Sequence, residues 1–175
     1  MNVLYKRKVA HLALLALAVA ASTGIAATPA SADNASGDTQ ANVVVTGAIT
    51  LTGLTQAFTL SGTPGQVATN LDAVTMHVTT NNFAGYAVTV EPLAATLDGV
   101  TAGNGDTIPT DALNVERSGV GPYIPLSFGT PVEVARKTSA SAPTGDAIDN
   151  DYKITIPFVQ PDTYTGTLEY VATTL

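Results

Sequence analysis

Apolar and polar residues alternate along most of the chain that follows Asn42. On one face of residues 42–52 the apolar side chains are Val43, Val45, Ile49 and Leu51. This period of two predicts a half-buried β-strand, since successive side chains of a strand point to opposite faces. After residue 32, apolar residues nowhere keep helical spacing over three turns without an interruption by Gly, Pro or β-branched residues. We therefore expect an all-β chain.

The same alternation predicts further strands between turn-forming residues. They cover residues 54–60, 74–79, 86–90, 113–117, 124–128, 132–135, 152–158 and 164–170. We expect a hairpin between 74–79 and 86–90, and loops over 93–111 and 137–151. Eight or nine short strands rich in Thr and Val predict an antiparallel two-sheet immunoglobulin-like β-sandwich, a single domain over 42–175. An up-and-down barrel has the same local pattern and is the alternative.

The first 32 residues have the pattern of a cleaved secretory signal peptide. Lys6, Arg7 and Lys8 precede an apolar run over residues 9–21, and Ala30-Ser31-Ala32 supplies small residues for cleavage. The run is shorter than the ~20 residues that a membrane-spanning helix needs. No second long apolar run follows, so we expect a secreted chain without membrane insertion. Residues 33–41 lack apolar periodicity and predict a flexible leader.

Removal of the signal peptide makes the chain strongly acidic. Three of the seven Lys and Arg residues lie within it, whereas all fourteen Asp and Glu residues follow it, which leaves a net charge of −10. Such a surface repels phosphate backbones, so we expect no nucleic-acid partner. The absence of cysteine excludes disulfides and Cys-based metal sites. Because the chain has no LPxTG-like sorting motif, we expect any attachment to a cell envelope to be noncovalent.

Candidate chemistry is confined to carboxylates and one histidine. His77 falls on the polar face of its strand, where an exposed structural role is expected. Asp146, Asp149 and Asp151 are candidate calcium ligands, because calcium takes several oxygen ligands, although the loop lacks the EF-hand pattern. Asx side chains also form turns without any metal. We expect no catalytic residues, no enzyme activity and no required cofactor.

Most aromatic side chains are predicted to lie in the core. They are Phe58, Tyr86, Phe128, Phe158, Tyr164 and Tyr170. Asp162-Thr163-Tyr164 is similar to the tyrosine corner of immunoglobulin-like sandwiches, in which the phenol bonds a nearby backbone group.

Three segments together resemble the WxL domain, a noncovalent cell-wall-binding module of Gram-positive surface proteins. They are Thr46–Leu51 leading to Phe58, Gly85–Val90, and Tyr164–Ala172. In that family a Trp-x-Leu tripeptide lies on a middle strand and again near the C-terminus. The corresponding tripeptides here are Tyr86-Ala87-Val88 and Tyr170-Val171-Ala172, with tyrosine in place of both tryptophans. The resemblance implies a secreted β-sandwich with a cell-wall polymer or surface protein as partner.

These observations lead to three functional hypotheses. The first is a noncatalytic secreted β-sandwich that acts at the cell surface or wall in binding, adhesion or structural assembly. The second is a fibre or pilus-like subunit that self-associates through edge strands, with residues 33–41 leading into the first strand. The third is a secreted polysaccharide hydrolase that uses two of the carboxylates Asp98, Asp106, Asp146 and Asp149.

Overall fold

A computed structural model describes residues 35–175 of the chain. The predicted signal peptide and the first two residues of the predicted leader lie outside the described residues. Residues 35–48 are exposed and contain no regular secondary structure. Val43–Leu175 form one compact unit, which is all-β and antiparallel, as predicted.

Eleven strands and one short 3-10 helix are present among the described residues. They are β1 (Ile49–Thr52), β2 (Val67–Thr80), β3 (Tyr86–Pro92), β4 (Thr96–Gly99), β5 (Thr107–Pro109), the 3-10 turn (Thr110–Ala112), β6 (Leu113–Arg117), β7 (Val120–Pro125), β8 (Val132–Lys137), β9 (Asp146–Thr155), β10 (Tyr164–Thr165) and β11 (Leu168–Thr174). The predicted count of eight or nine is not confirmed, because several short strands interrupt stretches that the alternation marks as loops.

The strands form a five-stranded sheet in the order β1-β2-β9-β6-β7 and two three-stranded sheets, β11-β3-β8 and β10-β4-β5. The small sheets follow one another along the same chain segments, since β3 leads into β4 and β10 leads into β11. The Leu93 N–H donates to the Thr167 carbonyl (2.9 Å), and this hydrogen bond links the two chain segments where one small sheet passes into the other. Apolar residues of the five-stranded sheet pack with those of the small sheets in a sandwich-like arrangement.

The long strand β2 defines two ends of the molecule. At the end we call the arch end, β2 stops at Thr80, β9 begins at Asp146 and β3 begins at Tyr86. At the opposite end, β2 begins at Val67 opposite Thr155, the last residue of β9. Core side chains between the ends include Met76, Val78, Val88, Val90, Val115 and Tyr152, all of them almost fully buried.

The predicted hairpin between residues 74–79 and 86–90 is wrong. β2 pairs with β1 and β9, whereas β3 pairs with β11 and β8, so residues 81–85 cross from one sheet to another. Gly85 adopts a φ of 100°, and its N–H donates to the Asn82 carbonyl (3.1 Å). A five-residue connection fits either a hairpin or such an arch, so its sequence alone does not distinguish them.

Four further predictions need correction. The first strand covers only Ile49–Thr52 rather than residues 42–52, and residues 54–60 form no strand, although Leu54, Phe58 and Leu60 do pack against the core. The polar loop expected over 137–151 is shorter, because β9 already begins at Asp146. Of the aromatic side chains predicted to be buried, Phe158 is 95% exposed and Phe128 is 57% exposed.

Candidate functional site

An apolar cavity of about 940 Å³ lies at the end opposite the arch end. Its walls are the irregular segment 54–64, the segment 156–168 and the adjoining ends of the sheets. Apolar side chains that line it include Leu54, Phe58, Leu60, Leu97, Ile156 and Leu168. A volume near the upper end of the range for ligand sites, about 300–1,000 Å³, makes this cavity the candidate binding site.

Aromatic side chains support the cavity from the core side. The Phe58 ring lies against the Tyr152 ring with a centroid distance of 4.4 Å and a tilt of 33°. The Tyr152 and Tyr170 hydroxyls hydrogen-bond to each other at 2.6 Å. Burial raises the pKa of both phenols above the ordinary value, so both stay neutral around pH 7. These groups give the cavity a rigid and uncharged support.

Asp162 organises one rim of the cavity. Its carboxylate accepts hydrogen bonds from Asn104 Nδ2 (2.8 Å), from the Thr101 N–H (3.0 Å) and from the Thr101 hydroxyl (2.8 Å). These bonds, with that from Asn104 the strongest contributor, lower the pKa of Asp162 to about 2. The Tyr164 hydroxyl donates to the Gln160 carbonyl (2.8 Å), which confirms the predicted bond from this phenol to nearby backbone. The rim is therefore fixed by hydrogen bonds.

The opposite wall carries unpaired backbone N–H groups, although the Thr59 carbonyl accepts a hydrogen bond from Asn70 Nδ2 (3.5 Å). Between Gln56 and Gly62, no backbone N–H donates a hydrogen bond to another of residues 35–175. Pairing begins again outside this stretch, since the Thr55 N–H donates to the Thr75 carbonyl (3.0 Å) and the Thr63 N–H to Gln66 Oε1 (3.2 Å). A row of free donors beside apolar side chains can accept an extended peptide as an added strand.

The candidate calcium ligands do not converge. Asp146 accepts hydrogen bonds from Lys137 Nζ (2.9 Å), the Tyr86 hydroxyl (3.0 Å) and the Ala142 N–H (3.1 Å). Partial burial acts to raise the pKa of Asp146, but these donors outweigh it and hold the pKa below its usual value. Asp149 is exposed on the middle of β9.

Asp151, the third candidate, is buried beside a bulge in β2. Its Oδ1 accepts the Asp72 N–H at 2.7 Å and so holds Asp72 at its unusual φ of 50°. Within residues 35–175, no group of three His, Cys, Asp or Glu side chains is placed to hold a metal ion.

The carboxylates suggested for hydrolysis form two separate pairs. Asp98 and Asp106 lie on or beside β4 and β5, near the cavity, while Asp146 and Asp149 lie on β9 toward the arch end. Asp106 is engaged by the Gln160 N–H (2.8 Å) and Asp98 by the Thr96 hydroxyl (2.8 Å). His77 is exposed, as predicted, and lies on the outer face of β2.

The two tripeptides that resemble the WxL motif lie on neighbouring strands. β3 and β11 pair so that Val88 faces Ala172 and Val90 faces Tyr170. Tyr86 is buried and bonds Asp146, while Tyr170 bonds Tyr152 in the core. Both tyrosine rings therefore contribute to packing.

Comparison with models of known protein families finds no match to this chain, and neither does comparison with curated protein sequences. In the part of the chain that the structure describes, no helix has the length and apolar character to cross a membrane.

The cavity and its unpaired backbone were not anticipated from the sequence. A usable signal was present, because Leu54, Phe58 and Leu60 form an apolar alternation that ends at the turn Ser61–Gly65. Alternation alone does not show whether the backbone of such a segment has a partner.

Proposed function

We propose that this chain is a secreted, noncatalytic protein with an immunoglobulin-like β-sandwich, which acts at the cell surface or wall in binding and structural assembly. The observation that carries the proposal is the open apolar cavity bordered by unpaired backbone between Gln56 and Gly62. Such a site recognises an extended apolar chain by burial and main-chain hydrogen bonds, and it needs no reactive group.

The arrangement of the ionisable side chains supports a noncatalytic role. Asp146, Asp151 and Asp162 all accept hydrogen bonds that stabilise bends or connect segments of the chain. A carboxylate that serves as a general acid has a raised pKa, whereas the pKa values of Asp146 and Asp162 are lowered. These groups are suited to holding loops in place.

The two tripeptides that resemble the WxL motif lie on the neighbouring strands β3 and β11 of one sheet. Binding to a cell-wall polymer would then use the outer faces and loops, since the tyrosines that replace the motif tryptophans contribute to the core. Assembly of like subunits is the second candidate. It is favoured by the exposure of Val43, Val44 and Val45, three consecutive apolar residues before β1.

Fractionation of the producing cells tests the proposal. We expect the protein on the cell surface or on purified walls, and we expect Ala57→Glu, which places a charge at the exposed cavity wall, to weaken its retention. Val120→Glu is the matched control, because Val120 is also exposed but lies on β7. Recovery of both variants and the wild type wholly from the medium, as monomers, would contradict the proposal.

A second arm tests the hydrolase hypothesis directly. The wild type and the variants Asp98→Asn, Asp106→Asn, Asp146→Asn and Asp149→Asn are incubated with a panel of polysaccharides. We expect no release of reducing sugar by any of them. Release by the wild type that any one substitution abolishes would replace the proposal with the hydrolase hypothesis.

A further inference from the structure

An apolar segment projects from the arch end of the molecule. Val43, Val44 and Val45 are 87%, 88% and 77% exposed. Just after them, the side chain of Asn81 fixes the backbone: its Nδ2 donates to the Thr46 carbonyl (2.9 Å) and its Oδ1 accepts the Ala48 N–H (2.8 Å). Three adjacent exposed β-branched residues have a high preference for strand structure. They also form an apolar patch that no other part of residues 35–175 covers.

The apolar cavity lies at the other end of the molecule. Ile49 pairs with Thr80 at the end of β2. From Ile49 the chain runs antiparallel to β2 and reaches Gly65, which lies beside the start of β2. The cavity wall therefore lies far along β2 from the projecting valines. From β2 itself, Val74 contributes to the cavity. Thr80 is six positions after Val74, which corresponds to about 20 Å along the strand.

The valines cannot fill the cavity of their own molecule. Val43 lies three residues before Thr46, which Asn81 holds in place, so the chain can carry Val43 only about 10 Å from that point. This reach is about half of the distance to Val74. The valines can therefore enter only the cavity of another copy.

We propose that the cavity of one copy binds the segment Val43–Val45 of a second copy. The bound segment pairs as an added strand with the free backbone N–H groups between Gln56 and Gly62. This inference rests on the proposed function in assembly and names its partner and site. The valine segment and the cavity lie at opposite ends of each copy, so the contact is head to tail. Repetition without closure gives an open filament.

Charge limits where two copies can meet. With its signal peptide removed the chain carries a net charge of −10, so two copies repel each other over most of their surfaces. No charged residue occurs between Asp38 and Asp72, a stretch that contains both the projecting valines and the segment 54–64 of the cavity wall. The two surfaces can meet without placing like charges against each other.

Sedimentation of the wild-type protein and of Val45→Asp over a range of concentrations tests the proposal. We expect the wild type to form progressively longer species. Side chains alternate along an added strand, so Val43 and Val45 enter the cavity while Val44 faces outward beside the exposed Ala57. Val45→Asp should associate at least about a hundredfold more weakly, because burial of an unpaired carboxylate in an apolar cavity is strongly unfavourable. Its thermal midpoint should not change, since Val45 is exposed. Val120→Asp is the matched control and should assemble like the wild type.

Engineered cysteines locate the contact, because the natural chain has none. We expect the double variant Val44→Cys/Ala57→Cys, oxidised with glutathione disulfide, to give a ladder of covalent oligomers. Thr59→Cys in place of Ala57→Cys tests a neighbouring register. The pair Val120→Cys/Ala57→Cys should give no ladder, since a disulfide needs Cα atoms within about 7 Å.

The outcomes separate this inference from the proposed function. If Val45→Asp assembles as well as the wild type, or the Val120 control gives the same ladder, the inference is wrong, although copies can still assemble through another surface. If the wild type is monomeric at every concentration, the inference is also wrong, and retention on purified walls then decides the proposed function. Assembly that is lost in Val45→Asp, together with a ladder specific to Val44, supports the inference.

Discussion

The hydrogen bond between the Tyr152 and Tyr170 hydroxyls is expected to show strong energetic coupling. Their 2.6 Å contact lies in the core next to the apolar cavity, and Tyr152 is completely buried. Replacing one tyrosine by phenylalanine leaves the other hydroxyl without its partner, which costs about 1–3 kcal/mol. Replacing both removes the two polar groups together and is close to neutral.

The two single variants are not expected to be equivalent. Tyr170→Phe leaves the fully buried Tyr152 hydroxyl unpaired, and a loss of about 2 kcal/mol is expected. Tyr152→Phe leaves the hydroxyl of Tyr170, which lines the cavity and can be hydrated there, so the loss is about 1 kcal/mol. The two single losses sum to about 3 kcal/mol, whereas the double variant should lose about 1 kcal/mol or less. The difference is a coupling energy of about 2 kcal/mol.

Urea unfolding followed by far-UV circular dichroism measures these free energies in a chain that has no tryptophan. Because burial raises the pKa of both phenols, the folded state favours their neutral forms. Their contribution to stability is therefore complete below pH ~10 and is lost as the pH rises further. The double variant should lose less stability above pH ~10 than the wild type. Losses of the single variants that simply add in the double variant would refute the reasoning.

Three further predictions concern other parts of the fold. Gly85→Ala places a Cβ onto the Lys137 carbonyl at a φ of 100° and should cost about 3–5 kcal/mol in chemical denaturation. Gly121→Ala, at a φ of 94° with open space around it, should cost about 1–2 kcal/mol. Asp162→Asn should remove an acid-sensitive contribution to stability, measured by unfolding between pH ~4 and 2, because the folded-state pKa of Asp162 is lowered to about 2. Tyr86→Phe should reduce the loss of stability between pH ~10 and 12, since burial raises the pKa of Tyr86 to about 12.

Local alternation predicted the strands whose two faces differ clearly. Leu113–Arg117 has the predicted bounds, and β8 begins at Val132 as expected. Alternation does not specify which strands pair, because pairing depends on contacts far apart in the sequence. The last predicted strand illustrates this limit: it divides after Thr165, and its two parts join different sheets.

The same limit explains why the candidate site was missed. The inward positions of Leu54, Phe58 and Leu60 follow from their spacing and are confirmed. The lack of partners for the backbone N–H groups between Gln56 and Gly62 does not follow from that spacing. The candidate calcium ligands were predicted in a loop because Asp and Asn are common in turns. All three lie on β9, where Asp146 and Asp151 bond neighbouring segments and Asp149 is exposed.

One structural cause accounts for both surfaces of the proposed assembly. Strand-like alternation covers residues 42–52 and 54–60, yet the ladder with β2 covers only Ile49–Thr52, followed by one backbone hydrogen bond from Thr55 to Thr75. Pairing cannot start earlier, because β2 ends at Thr80 and the chain turns away at Asn82. The strand ends after Thr52, where Gly53 adopts a φ of 66°. The part of the chain before β1 projects as the apolar segment Val43–Val45, and the part after β1 borders the cavity. The shortness of β1 therefore produces both surfaces of the proposed contact.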